Sequence, residues 1–251
     1  MLVACWSVKG GVGTTVVAAS LALLLARRGG PGVVLADLAG DGPAVLGLPE
    51  PESPGLAAWL AAGDDVPADG LARLEVEASP SLALLPRGPG PLLPERAAVL
   101  ASLLDRGPRP VVVDCGTTER VAAAVVGGAQ RSILVIRPCY LALRRAMASP
   151  LRPSEVVLIR EPGRTLSRQD VESVVGAPVR VEIEADPAVA RAVDSGLMAG
   201  RLPRSLERGL RHAARPAVRR RRARCPRASP GARLGDRPTP RRSGSGRPRT
   251  Q

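Results

Sequence analysis

One short stretch concentrates residue types that could bind an anion. Ser7-Val8-Lys9-Gly10-Gly11-Val12-Gly13-Thr14-Thr15 follows an apolar run and leads at once into an Ala/Leu-rich helical pattern. Glycines at such a strand-to-helix turn let successive backbone N–H groups converge on a concave anion site. The helix N-terminus adds the positive end of its dipole. A hydroxyl in the first helical turn, here Thr15, is placed to ligate the Mg²⁺ that accompanies nucleotide phosphates. The other reading of these residues is a glycine turn that merely joins strand to helix. Lys9 weighs towards the first: the chain has 36 basic residues and Lys9 is its one lysine. In an Ala-, Gly-, Pro- and Arg-rich sequence of the kind a GC-rich genome encodes, an isolated lysine suggests a site that needs a compact ammonium.

Two further carboxylate positions stand at the ends of apolar runs. Val33–Asp37 runs into Leu38-Ala39-Gly40-Asp41, and Val111–Asp114 into Cys115-Gly116. A buried strand ending in Asp before a turn is common in α/β proteins, and Asp41 also suits an ordinary turn. Their order after the glycine loop gives them a functional reading as well.

These elements are positioned by a regular alternation. The predicted strands are Leu2–Ser7, Val33–Asp37, Leu82–Leu85, Val111–Asp114, Ile133–Ile136, Val156–Ile159 and Val179–Ile183. Between them lie predicted helices at Thr14–Arg28, Gly55–Ala62, Glu95–Asp105, Glu119–Ala129, Leu141–Ala148, Arg168–Val175 and Pro187–Asp194. Strands that are apolar throughout belong to a parallel sheet covered on both faces. Their alternation with helices predicts a doubly wound, mainly parallel α/β fold. Residues 40–94 are the least readable part; Asp64, Asp65 and Asp69 are expected in a solvated turn.

Composition excludes several functions. There is no Phe, one Tyr and two Trp, too few for a base-stacking platform. The single histidine, His212, excludes a multi-His metal site and argues against a Ser-His-Asp triad. Four scattered cysteines without CxxC spacing fit a reducing compartment. No signal peptide and no apolar run of transmembrane length is visible, so a cytoplasmic protein is expected.

The formal charge of +13 belongs to one end. Residues 1–210 carry 22 basic and 22 acidic side chains, whereas Arg211–Gln251 carries 14 arginines against Asp236. The expected division is a folded domain over 1–214 and a disordered Arg/Pro-rich tail over 215–251. Three readings of the tail stay open: a disordered extension or an out-of-frame read, a nucleic-acid-binding segment acting through counterion release, or one attracted to anionic membrane.

The glycine loop resembles the deviant Walker A motif, K-G-G-x-G-K-[ST], of the ParA/MinD group of P-loop ATPases. The likeness is greatest to the CpaE/septum-site-determining branch found beside pilus and secretion genes. Lys9 matches the signature lysine that reaches across a nucleotide-sandwich dimer; Gly10, Gly11, Val12 and Gly13 match the loop, and Thr15 the Mg²⁺ ligand. The second lysine of the motif is Thr14 here. Loss of one charge-assisted hydrogen bond, roughly 1.5–3 kcal/mol, weakens binding by about one to two orders of magnitude. Asp37 matches the first aspartate of the D-x-D switch segment, Ala39 replaces the second, and Asp41 follows two residues on. Asp114 matches the Walker B carboxylate facing Mg²⁺. Ile183–Val189 is similar to a late segment near the adenine, and Arg137 and Tyr140 stand in a strand-end loop near the same site.

The resemblance implies ATP and Mg²⁺ as cofactors. Thr15 and Asp114 would manage the metal, and Gly10–Thr15 would bind the phosphates. Lys9, Asp37 and Asp41 would take catalytic roles. It also implies a homodimer when nucleotide is bound, protein partners in division or pilus/secretion assembly, and a cytoplasmic location with peripheral membrane contact. The losses at Thr14 and Ala39 favour weak or absent hydrolysis, and leave open a scaffold without nucleotide or nucleic-acid binding through the tail. The family's C-terminal amphipathic membrane helix is not evident in Leu202–Ala214.

Overall fold

The first strand, β1 (Leu2–Ser7), is buried along its whole length, as its unbroken apolar sequence requires. In the computed structural model, which describes residues 1–63, 67, 69–117 and 120–214, β1 lies at the centre of an eight-stranded sheet. The strands that follow are β2 (Val33–Asp37), β3 (Val76–Ser79), β4 (Leu82–Leu85), β5 (Val111–Thr117), β6 (Arg131–Ile136), β7 (Glu155–Arg160) and β8 (Val179–Glu184). Their order is β3-β4-β2-β5-β1-β6-β7-β8, with every pairing parallel except β3–β4.

Helices cover both faces. One face carries α3 (Gly55–Ala61), α4 (Ala97–Arg106), α5 (Arg120–Gly128), α6 (Tyr140–Ala148) and α7 (Arg168–Val175). They close over Leu2, Ala4 and Trp6 of β1, with Leu56, Trp59 and Leu100 among the buried side chains. The other face carries α1 (Thr14–Ala26), α2 (Gly42–Leu46), α8 (Pro187–Asp194) and α9 (Arg204–Leu210), packed on Val3, Cys5, Leu35 and Val112. Alternate side chains of β1 thus feed two separate cores. Helix α1 is apolar on all sides because it is buried on nearly all sides: from Val17 to Ala26 every residue is buried.

Where the chain crosses from one half of the sheet to the other, the C-terminal ends of β1 and β5 open a crevice, the usual place for a ligand in such a sheet. The expected doubly wound architecture is present. Residues 64–66, 68, 118, 119 and 215–251 lie outside the described residues, and with them Asp64, Asp65, Glu119 and the whole basic tail.

Four elements were not predicted. β3 reads Val-Glu-Ala-Ser, too short and polar to announce itself, and it is the half-exposed antiparallel edge strand. α2 and the 3₁₀ turn Ala72–Leu74 are too brief for periodicity to show. α9 lies in the segment Leu202–Ala214 and belongs to the core: Leu206, Leu210, Ala213 and Ala214 are buried, so its apolar face is used inside the fold. β8 alternates rather than being apolar throughout. Its Arg180, Glu182 and Glu184 face solvent at the sheet edge, where charge discourages further strand pairing.

One crossing is unusually close. Leu56 and Ala57 donate backbone hydrogen bonds to the Pro86 and Arg87 carbonyls, both at 2.8 Å. Gly55 and Gly88 sit there with φ of +64° and +69°, and a Cβ on Gly88 would lie 2.1 Å from the Pro54 carbonyl oxygen. Gly88→Ala therefore forces both a left-handed alanine and a backbone collision. It is expected to cost about 2–3 kcal/mol, read as a lowered urea midpoint with unchanged slope. An unchanged midpoint would show that the two segments are not locked together.

Candidate functional site

The glycine loop is shaped by two left-handed residues. Gly11 and Gly13 have φ of +73° and +94°, values that a side chain would make costly. Gly13 is also the N-cap of α1 and offers no side-chain cap. The first N–H groups of a 13-residue helix therefore point into the crevice without a protein oxygen from the cap to accept them. The Ser7 hydroxyl lies 3.1 Å from the Lys9 carbonyl and 3.2 Å from the Gly116 carbonyl. Its single proton is shared between them and ties the loop after β1 to the end of β5.

Beneath this loop two carboxylates lie side by side. β2 and β5 pair in a register that sets Asp37 opposite Asp114, and Asp114 is in turn opposite Cys5 of β1. Both aspartates are essentially inaccessible. Their environments differ. Asp37 Oδ1 accepts from the backbone N–H groups of Ala39 (2.9 Å) and Gly40 (2.7 Å), and Oδ2 from that of Gly42 (2.8 Å). Burial pushes its pKa up, and these three donors pull against that shift.

Asp114 has less support. Its Oδ1 accepts from the Gly116 N–H at 3.0 Å, while the buried Oδ2 has no hydrogen-bond partner among the described residues. Burial raises its pKa to about 6. The Thr15 hydroxyl and the Gly116 N–H favour the charged form, and Asp37 and Asp41 oppose it. Cys5 and Cys115, buried beside it, are held as neutral thiols well above the usual range, chiefly by burial and then by the Asp114 charge.

The crevice above has a volume of about 480 Å³ and is lined by Gly10, Gly11, Gly13, Thr14, Thr15, Ala39, Asp41, Arg87, Gly116 and Arg137. Adjoining it is a more apolar cleft of about 550 Å³, bounded by Val12, Val16, Ile159 and the segment Ile183–Val189. Gly13, Val16 and Arg137 border both.

The predicted residues therefore separate by place. Gly10, Gly11, Gly13, Thr14 and Thr15 form one wall, and Asp41 faces them from the loop before α2. Val12 turns its side chain into the apolar cleft and the core. Asp37 lines neither cleft; its two oxygens are committed to holding the 38–42 loop. Lys9 lines neither cleft as well, and among the described residues its Nζ reaches only the Gly10 carbonyl, at 3.5 Å. Tyr140 is exposed at the start of α6 and away from both clefts.

Sequence reasoning missed Arg87. The signal available was a lone arginine in Leu85-Pro86-Arg87-Gly88 directly after a predicted strand, within the stretch that was least readable. Arg137, by contrast, lines the crevice as the strand-end position suggested, and is paired with Glu161 at 2.6 Å.

An orphaned carboxylate oxygen next to a hydroxyl suits a divalent cation. Among the described residues no group of three or more His, Cys, Asp or Glu could hold a metal by itself. A cation here would need further oxygens from a ligand, as Mg²⁺ on phosphates has. The residues present fit that ion.

The family described as CbiA, the CobQ/CobB/MinD/ParA nucleotide binding domain, matches residues 3–199. No curated protein matches the chain. Among solved structures, it is similar to a ParA family ATPase from Chlorobium tepidum TLS, with 23% identity, TM-score 0.67, and 85% of this chain and 98% of that one covered. The MinD cell division protein of Aquifex aeolicus gives 22% identity, TM-score 0.64, and 78% and 86% coverage. The septum site-determining protein MinD of Pyrococcus horikoshii OT3, complexed with Mg-ADP, gives 19%, 0.67, and 85% and 95%. At these identities the likeness shows the fold.

Asp114 makes the site's electrostatics measurable. Its raised pKa means that the folded protein holds a proton more tightly than the unfolded chain. The stabilising contribution is full below the unfolded value of 3.8 and is lost as pH rises through about 6. At pH 7.5 the ionised group is therefore a net cost. Asp114→Asn is expected to raise the stability of the ligand-free protein by about 2–3 kcal/mol at pH 7.5 and by about half that at pH 5. Urea titrations at the two pH values check this, and a gain that does not shrink at pH 5 would refute the assignment.

Proposed function

The chain belongs to the CobQ/CobB/MinD/ParA nucleotide-binding family, and from that premise we propose that it binds ATP with Mg²⁺ as a dimeric positional switch that hydrolyses ATP weakly or not at all. The observation that carries this reading is the orphaned Asp114 Oδ2 beneath an uncapped helix N-terminus, with Thr15 between it and the crevice. A polyphosphate lying on the N–H groups of residues 10–15 would meet the helix dipole. A Mg²⁺ on its oxygens would be held by the Thr15 hydroxyl and, directly or through water, by Asp114. That ion would neutralise phosphate charge and supply the partner Asp114 lacks, drawing the carboxyl back to its ionised form. The adjoining apolar cleft along Ile183–Val189 would take the base.

Weak turnover follows from the opposite wall. Catalysis of phosphoryl transfer consists largely of positioning the nucleophile and stabilising charge. Ala39 has no group to orient a water, and Asp37 is held by three backbone donors, so among the described residues Asp41 is the carboxylate left facing the loop. Lys9 projects outside the crevice of its own chain, in keeping with a role across a dimer interface. The processes in which relatives of this fold work, septum placement and partitioning among them, are the expected setting, with pilus or secretion assembly as a further one. The basic tail, which lies outside the described residues, is the segment for any contact with nucleic acid or anionic membrane.

Calorimetry on the full chain tests the reading. Mg-ATP is expected to bind in the micromolar range, with binding weakened by at least tenfold when Mg²⁺ is removed or Thr15 is replaced by Ala. Light scattering is expected to show ATP-dependent dimers that Lys9→Ala abolishes while leaving the affinity of the monomer within about threefold. Turnover on the same sample separates a slow ATPase from a binding protein without hydrolysis. No binding up to millimolar Mg-ATP would favour the scaffold reading instead.

A further inference from the structure

Loss of the second loop lysine at Thr14 leaves the crevice without the ammonium that would meet the outer phosphates. The chain nevertheless places a guanidinium on the facing wall. Arg87 follows β4, and its backbone is held by the crossing at Gly55 and Gly88 and by the Ala57 N–H on its carbonyl. Its side chain runs along Gly40, where a Cβ would sit 3.2 Å from Arg87 Cδ, and its Nη1 donates to the Leu38 carbonyl at 2.7 Å. Both ends of the residue are thus positioned, and the head lines the same crevice as Gly10–Thr15.

Charge distinguishes it from the other guanidinium there. Arg137 is neutralised by Glu161, 2.6 Å away, which also takes Arg164 at 2.7 Å. Arg87 is in no ion pair among the described residues; its one hydrogen bond there goes to a neutral carbonyl, leaving four of its five donors. Asp41, a carboxylate lining the crevice, forms no ion pair with it.

Strand order sets the direction in which a ligand would lie. The apolar cleft stands at the ends of β7 and β8, whereas Arg87 stands beyond β2 at the end of β4. A nucleotide with its base in the apolar cleft and its phosphates on residues 10–15 would point its last phosphate towards Arg87. We propose that Arg87 binds the terminal phosphate of a nucleoside triphosphate, in place of the ammonium missing at position 14, and so sets the preference for triphosphate over diphosphate. This rests on the nucleotide-binding reading above. Through Leu38, the same contact would couple the terminal phosphate to the 38–42 loop.

The test is Mg-ATP and Mg-ADP calorimetry on the full-length protein, Arg87→Gln, Arg87→Lys, Thr14→Lys and the double variant Arg87→Gln/Thr14→Lys, with thermal melts of each without ligand. Arg87→Gln is expected to weaken Mg-ATP by about ten- to a hundredfold and Mg-ADP by less than about threefold. Arg87→Lys should retain part of the ATP affinity. Thr14→Lys should restore ATP binding in the Arg87→Gln background, because it returns a charge to the phosphates without replacing the Leu38 bond. Equal losses of ATP and ADP, or failure of that rescue while Thr14→Lys alone tightens ATP, would show that Arg87 only holds the loop. If the unaltered protein binds both nucleotides and Arg87→Gln binds them equally well, the Arg87 assignment fails alone. If the unaltered protein binds neither at millimolar concentration, the nucleotide reading fails and this inference falls with it.

Discussion

Two carboxylates opposite each other on neighbouring parallel strands set the terms for everything above them. Paired strands lie about 4.8 Å apart, and at that spacing two buried like charges cannot both ionise without compensation. The chain treats them differently. Asp37 receives three backbone N–H groups from residues 39–42 and becomes the knot that shapes that loop. Asp114 receives one, from Gly116, and is left with a buried oxygen that no described group bonds. The asymmetry turns one aspartate into structure and leaves the other with that oxygen unbonded among the described residues.

The same asymmetry accounts for how the crevice is assembled. The loop anchored by Asp37 brings Ala39 and Asp41 to face the glycine loop, and its outer side rests on Arg87 through Gly40 and Leu38. Ser7 joins the glycine loop to Gly116, next to Asp114. The glycine loop, the buried Asp114 and the facing loop are therefore linked by a few short hydrogen bonds. A ligand that altered one of them would be felt by the others.

The fold was legible because burial on both faces of a parallel sheet demands continuous apolar runs, and Leu2–Ser7 and Val111–Val113 are such runs. The glycine loop was legible because left-handed turns at Gly11 and Gly13 need glycine whatever surrounds them. Less legible were the elements whose existence depends on neighbours. β3 forms because β4 offers it an edge, and α9 is a core helix because α1 and β8 cover its apolar side. Neither has a local signal strong enough to stand alone.

Sequence by itself determined the strand-to-helix turn, the carboxylates at the strand ends and the concentration of charge in residues 211–251, since each follows from local residue type and spacing. Tertiary structure alone decided what those residues face. The register of β2 on β5 set Asp37 against Asp114, and the placement of backbone donors then separated their roles. A crossing between segments thirty residues apart brought Arg87 to the wall opposite Thr14. Contacts of that kind depend on which distant groups the sheet brings together, a property that no window of the sequence contains.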